Sequence, residues 1–126
     1  MSTGHPDNEA YWIERHEKLR GQLASVGNIG STQADNMQRY ARKKRRIVSL
    51  LRALDRDRLE GAHVLDAGCG IGMMSEILYA LGANVCGVDA SDSAIEEASN
   101  RCPGGRFVVG SLVNFNFERK FDAIFC

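Results

Sequence analysis

A strand, a glycine-rich turn and the start of a helix are written into residues 63–78. The apolar run His63-Val64-Leu65 feeds into Asp66-Ala67-Gly68-Cys69-Gly70-Ile71-Gly72, and Met73-Met74-Ser75-Glu76-Ile77-Leu78 follows. Three glycines at alternate positions let a backbone turn sharply and leave room for a ligand to lie against it. Asp66 stands two residues before the first of them, so negative charge lies where the ligand would sit. That favours a ligand with a cationic group over a bare pyrophosphate.

The sequence beyond this turn repeats the alternation. The first strand is expected over residues 62–66 and the helix after it over 72–81, with Met73, Ile77, Leu78 and Leu81 facing inward. Gly82 suits the left-handed position just past that helix. A second strand spans 84–89. Ser91 can cap a helix running to about Arg101 and burying Ala94, Ile95 and Ala98. Pro103-Gly104-Gly105 is a turn, 106–109 a third strand and 121–126 a fourth. Strands and helices alternating at this length imply right-handed crossovers and a parallel sheet.

Ahead of this core, residues 1–9 are polar and expected to lack fixed structure. A helix is expected over 9–23, with Trp12, His16 and Leu19 at helical spacing, and a loop over 27–31. Thr32 with Asp35 makes a capping box. The helix it opens carries an apolar stripe at Ile47, Leu50, Leu51 and Leu54, and Gly61 ends the region. The expected organisation is a helical extension or cap over 1–60 and a core over 61–126.

A chain of 126 residues can bury one modest core. No run is long and apolar enough for a transmembrane helix. The N-terminus has no signal-peptide shape, so a cytoplasmic protein is expected. Net charge is zero but divided: residues 1–60 carry twelve Lys/Arg against eight Asp/Glu, and residues 61–126 carry four against eight. Cys69, Cys86, Cys102 and Cys126 form no C-x-x-C pair, and no histidine follows His63, so a zinc site is not expected. The cysteines read as free structural thiols, and Cys69 as a residue whose backbone matters more than its sulfur.

In an open parallel sheet, ligands bind at the carboxyl ends of the strands where strand order reverses. The turn at residues 68–72 ends the first strand. Asp89, nineteen residues beyond Gly70, ends the second and can accept both hydrogen bonds of a ribose diol. A nicotinamide dinucleotide fingerprint, G-x-G-x-x-G, would need glycine at position 73, where Met73 stands. The third glycine is Gly72 instead. S-adenosylmethionine has no phosphate to cradle, but its methionine part carries an ammonium, a carboxylate and a sulfonium. Asp66 suits the ammonium, directly or through water, and Gly68 and Gly70 let the methionine chain lie close to the backbone.

These residues resemble motif I of the class I S-adenosylmethionine-dependent methyltransferases. Val85-Cys86-Gly87-Val88-Asp89-Ala90-Ser91 is similar to the family's second strand with its ribose-binding acid. Phe107-Val108-Val109-Gly110-Ser111-Leu112 falls where the family often shows a Gly-Asp pair beside the adenine, and Phe121-Asp122-Ala123-Ile124-Phe125-Cys126 resembles its fourth strand. The resemblance covers about half the chain. It implies an α/β Rossmann-like sheet in which order 3-2-1-4 is visible and the family's seven strands are incomplete. It also implies a cofactor site: Asp66, Gly68, Cys69, Gly70 and Gly72 around the methionine part, Asp89 on the ribose, Ala90, Ser111 and Leu112 beside the adenine, and the Cys126 carbonyl near the ammonium. Ser111 departs from the family's usual aspartate. Val64-Leu65-Asp66-Ala67-Gly68-Cys69-Gly70 and the fourth strand further resemble the ubiquinone-biosynthesis type of O-methyltransferase, which the N-terminal half does not follow. The implied reaction is methyl transfer to oxygen, nitrogen or carbon of a small molecule. In it the protein mainly supplies proximity and alignment.

Other features leave alternatives open. Arg42-Lys43-Lys44-Arg45-Arg46 could bind RNA phosphates, making a nucleic-acid methyltransferase. Five consecutive residues cover every face of a helix, however, so a solvated surface is favoured and a nucleic-acid partner is not expected. A non-catalytic cofactor-binding module is a further alternative. Tyr11 and Trp12 could form a lid or simply pack on the core. His16 is the best candidate general base by residue type, although a packed or surface histidine is favoured, and no catalytic residue is assigned. The fourth strand would be an open apolar edge. Either the chain is a truncated piece of a larger enzyme, the favoured reading, or another copy or partner completes the sheet, or the N-terminal helices fold over the gap. A truncated chain is expected to be weak or inactive in transfer by itself.

Overall fold

The computed structural model describes residues 8–27, 29–54 and 59–126. Helix α1 (Asn8–Lys18) is followed by a short 3-10 turn (Leu23–Ser25) and helix α2 (Gln33–Ala53). The core runs β1 (His63–Ala67), α3 (Met73–Ala80), β2 (Asn84–Asp89), α4 (Asp92–Arg101), β3 (Arg106–Val109) and β4 (Ala123–Phe125). All strand pairs are parallel, as the strand–helix alternation implied, and the sheet order is β3-β2-β1-β4, as the family resemblance implied. Val64 faces Val85 on one side and Ala123 on the other, so β1 is central. Order reverses between β1 and β4, and the glycine turn leaves β1 at that point.

Among the described residues the helices lie on one face of the sheet: α3 and α4 follow β1 and β2 by crossovers of the same hand and pack on each other, and no helix lies between β3 and β4. Val64 and Leu65 are buried, and Leu51, Leu59, Val64, Leu78, Ala83 and Val85 form one cluster. Each fully buried Val or Leu side chain contributes roughly 1.5–3 kcal/mol. Ile47 of α2, with Ala123 and Phe125 of β4, packs against this cluster. A second cluster joins Leu23, Ile71 and Ala94, with Val26, Tyr40 and Met73 against it. It ties the N-terminal segment to the glycine turn and to α4.

Local signals act as their chemistry dictates. The Asp35 N–H donates to Thr32 Oγ1 at 3.1 Å and the Thr32 N–H to Asp35 Oδ2 at 3.2 Å, closing the capping box of α2. The Ala94 N–H donates to Ser91 Oγ at 3.2 Å. Gly82 takes φ 94°, the left-handed position past α3.

Four expectations need correction. The first helix ends at Lys18 rather than at residue 23. Gly21, at φ 76°, turns the chain towards α4, where its N–H donates to Glu97 Oε1 at 2.8 Å and Arg20 pairs with Glu96. The stripe on α2 is only half used: Ile47 and Leu51 pack, whereas Leu50 and Leu54 are 60% and 61% exposed. β4 spans three residues rather than six. At Asp122 the side chain takes the place of a backbone acceptor: the His63 N–H donates to Asp122 Oδ2 at 2.8 Å while the Asp122 N–H donates to the His63 carbonyl at 2.7 Å, and Phe121 sits edge-on to Phe117. The unstructured start expected over residues 1–9 lies outside the described residues up to position 7, and Asn8 and Glu9 are already helical. Ala123 and Phe125 pack against the cluster while Ile124 between them is 66% exposed, so the face of β4 turned away from α2 is open, and β4 ends the sheet among the described residues.

Candidate functional site

A cavity of about 400 Å3 opens at the carboxyl ends of β1, β2 and β4. Its floor is Asp66, Gly68, Cys69 and Gly70, with Asp89 at one end and Cys126 among its walls. The N-terminal half closes it from above with Trp12, His16, Val26, Tyr40 and Lys43.

The three glycines of the turn have three different tasks. All are left-handed, at φ 71°, 52° and 82° for Gly68, Gly70 and Gly72. A Cβ built on Gly68 would meet nothing within 4 Å, so its bare face is presented to the cavity. One on Gly70 would lie 2.8 Å from Val26 Cγ1, so this glycine admits the N-terminal segment. One on Gly72 would lie 3.0 Å from Ala98 Cα, so this glycine seats α3 on α4.

Asp66 is 4% exposed and accepts a 2.6 Å hydrogen bond from the Ser75 hydroxyl. Burial pushes its carboxyl pKa up. The Ser75 bond opposes that rise and the neighbouring Asp89 reinforces it. A buried carboxylate with so little compensation favours a cation beside it. Asp89 is held by backbone donors: the Gly70 N–H reaches Oδ2 at 2.9 Å and the Ser91 N–H reaches Oδ1 at 3.0 Å. The turn and the end of β2 are therefore joined by one carboxylate.

His16 is 2% exposed, and neither ring nitrogen has a hydrogen-bond partner. Burial pushes its pKa down; Asp89 and Glu97 oppose this and Arg15 adds to it. A neutral imidazole thus faces the Asp89 end of the cavity. Burial likewise pushes the Cys69 thiol far up, with Asp66 and Asp89 adding to the effect, so it is not a nucleophile.

The structure brings Asp66, Gly68, Cys69, Gly70, Asp89 and Cys126 to one cavity. Gly72 lies beneath it. Ala90, Ser111 and Leu112 follow the ends of β2 and β3 and do not line it; the Ser111 hydroxyl donates to Glu9 of α1. Trp12 lines the cavity, and Tyr11 faces a neighbouring one. Among the described residues no cluster of His, Cys, Asp or Glu could hold a metal ion. Tyr40 escaped the sequence analysis, and Lys43 entered it only as part of the basic run; Lys43 Nζ lies 5.3 Å from the Tyr40 ring centroid. Their spacing on a helix that reaches the core was the available signal.

An open parallel sheet of this order, with a glycine turn at its switch point, is the arrangement in which doubly wound α/β folds bind a nucleotide-containing ligand. Residues 64–126, half of the chain, match the family model described as a methyltransferase domain. The chain belongs to that family of class I S-adenosylmethionine-dependent methyltransferases, and its cofactor is S-adenosyl-L-methionine. It is 57% identical over 79 residues to the ubiquinone biosynthesis O-methyltransferase of Coxiella burnetii, covering 54% of this chain and 31% of that one. The mitochondrial counterpart of Schizosaccharomyces pombe is 37% identical over 79 residues, covering 57% and 29%. The chain thus spans about a third of the length of these curated relatives. Among solved structures, the magnesium protoporphyrin IX methyltransferase of Synechocystis with bound SAM superposes with a TM-score of 0.70. It is 24% identical, covering 92% of this chain and 57% of that one, and shares the fold.

Proposed function

We propose that this chain holds S-adenosylmethionine in the cavity over the glycine turn and serves methyl transfer to oxygen, nitrogen or carbon of a small-molecule acceptor. The single observation that carries this is the pairing of an under-compensated buried acid, Asp66, with the bare left-handed face of Gly68. A cationic amino-acid chain can lie against such a face and neutralise such an acid. The curated relatives are O-methyltransferases, which supports the same reaction class.

Asp66 would take the ammonium, with the Cys126 carbonyl beside it. Gly68, Cys69 and Gly70 would run along the methionine chain. Among the described residues lining the cavity, Lys43 is the one Lys or Arg, and it would complement the carboxylate. Asp89 would take the ribose diol, and Ala90, Ser111 and Leu112 would flank the adenine beyond it. Gly72 would act by seating α3 rather than by contact. When bound, the cofactor supplies an electrophilic methyl group on a sulfonium. The chain's own part is to orient it and exclude water, and His16 is assigned to the ribose end rather than to proton transfer.

The division into a helical cap over 1–60 and a donor-binding core over 61–126 accords with α1 and α2 closing the cavity from above. A cytoplasmic setting fits the free thiols Cys69 and Cys102, which are buried and unpaired. No helix among the described residues is long and apolar enough to cross a membrane. Equilibrium dialysis with radiolabelled S-adenosylmethionine tests the proposal. Retention competed by S-adenosylhomocysteine is expected, and NAD binding with none of S-adenosylhomocysteine would overturn it.

A further inference from the structure

A second cavity, of about 690 Å3, lies between α1 and α2. Its cations are Arg15, Arg39, Arg42, Lys43 and Arg46, and none of its lining residues is acidic. On α2 these positions stand at offsets 0, 3, 4 and 7, which is one helical face. The consecutive run at 42–46 does cover all sides of the helix, but Arg39 and Arg15 complete a patch that the run alone cannot make. Lys44 turns away, into a different cavity that also contains Glu76. Among the described residues, no ion pair joins Arg42, Lys43 or Arg46 to a carboxylate. Arg15 is fixed at the rim: its guanidinium donates to the Gly27 carbonyl and lies 4.8 Å over the Trp12 ring.

We infer that this cavity binds the oxyanion group, phosphate or carboxylate, of a small-molecule methyl acceptor. Five like charges around one opening repel one another and raise the local concentration of anions. Guanidinium forks match the geometry of phosphate and carboxylate oxygens. The volume is that of a small-molecule site, and cations from both α1 and α2 line it, Arg15 from the first and Arg39, Arg42, Lys43 and Arg46 from the second. Val26, Tyr40 and Lys43 line both this cavity and the donor cavity. An anion seated here therefore lies beside the methyl donor. That consequence, and the assignment of the anion to a methyl acceptor, rest on the proposed function; the anion site itself does not.

The test is a titration of the full chain with inorganic phosphate at constant ionic strength, followed by nuclear magnetic resonance of the α2 amides and arginine side chains. Wild type is expected to show saturable shifts centred on Arg39, Arg42 and Arg46. Arg42→Glu with Arg46→Glu is expected to weaken binding about tenfold or more, and the milder Arg42→Gln with Arg46→Gln to fall between. Both pairs should melt like wild type and keep its affinity for S-adenosylhomocysteine. Phosphate affinity unchanged by either pair would overturn the inference. So would a short single-stranded RNA binding far more tightly than phosphate with a steep salt dependence, which would make the face a nucleic-acid surface. Failure of wild type to bind S-adenosylhomocysteine would instead sink the donor proposal and leave the phosphate result to decide the anion site.

Discussion

His16 Nδ1 lies 4.0 Å from Asp89 Oδ1, with the histidine of α1 set over the carboxylate that ends β2. The gap exceeds a hydrogen bond, and both ring nitrogens are unpartnered although the side chain is buried. The N-terminal helix therefore contributes a polar group to the place where a ribose would meet Asp89.

This burial has a pH signature. The His16 pKa is lowered from 6.5 in the folded chain, so the unfolded chain binds more protons between the two values. Stability is then complete above about pH 6.5 and lost as pH falls towards the folded pKa. Urea denaturation of wild type should show this decline as pH falls below about 6.5, and His16→Gln should flatten it. Equal slopes for the two proteins would refute the assignment. Asp89, Glu97 and Arg15 face the ring and are kept in both.

Asp66 has the opposite sign. Its pKa is raised in the folded chain, so the folded state holds the extra proton and stability falls as pH rises through the window between the unfolded and folded values. At neutral pH Asp66→Asn should leave stability unchanged or raise it, since the Ser75 hydroxyl keeps an acceptor. The same change should weaken S-adenosylhomocysteine binding by about tenfold or more, as expected for a lost charge-assisted bond. A variant that melts earlier yet binds normally would contradict the role given to this acid.

Gly68→Ala and Gly72→Ala should fail differently. Each forces a left-handed alanine, at a cost of about 1–2 kcal/mol. At Gly68 nothing crowds the new methyl group, so stability falls by that much and donor affinity falls further. At Gly72 the methyl group meets the backbone of α4, adding about 1–3 kcal/mol of overpacking. Thermal melts and calorimetry on the two variants separate these outcomes.

The cysteines offer a chemical footprint. Cys126 is exposed and lines the donor cavity, whereas Cys69 and Cys102 are buried with thiol pKa values pushed up by burial. Iodoacetamide should label Cys126 first and Cys69 last, by peptide mass. S-adenosylhomocysteine should slow the labelling of Cys126.

The core was legible because its signals are local. Glycines at 68, 70 and 72, Asp89 at a strand end and Ser91 as a cap each declare a backbone conformation or a hydrogen bond within a few residues. What each glycine is for was not legible. Gly72 answers to Ala98, twenty-six residues away, and Gly70 to Val26, across the helical half. The docking of α1 depends on Arg20 and Gly21 meeting Glu96 and Glu97, pairs separated by seventy-six residues. Without them the periodicity of residues 9–23 reads as one helix. The exposed Leu50 and Leu54 show the same limit, since an apolar stripe marks what can be buried and tertiary placement decides how much is.

The most direct measurement is isothermal titration calorimetry of S-adenosylhomocysteine into the wild-type chain and into Asp89→Ala, with a melting curve for each. The account predicts saturable one-to-one binding to wild type and its loss in a variant that still melts cooperatively. A cooperatively folded wild type that releases no heat of binding, or an Asp89→Ala variant that binds as well as wild type, would contradict it.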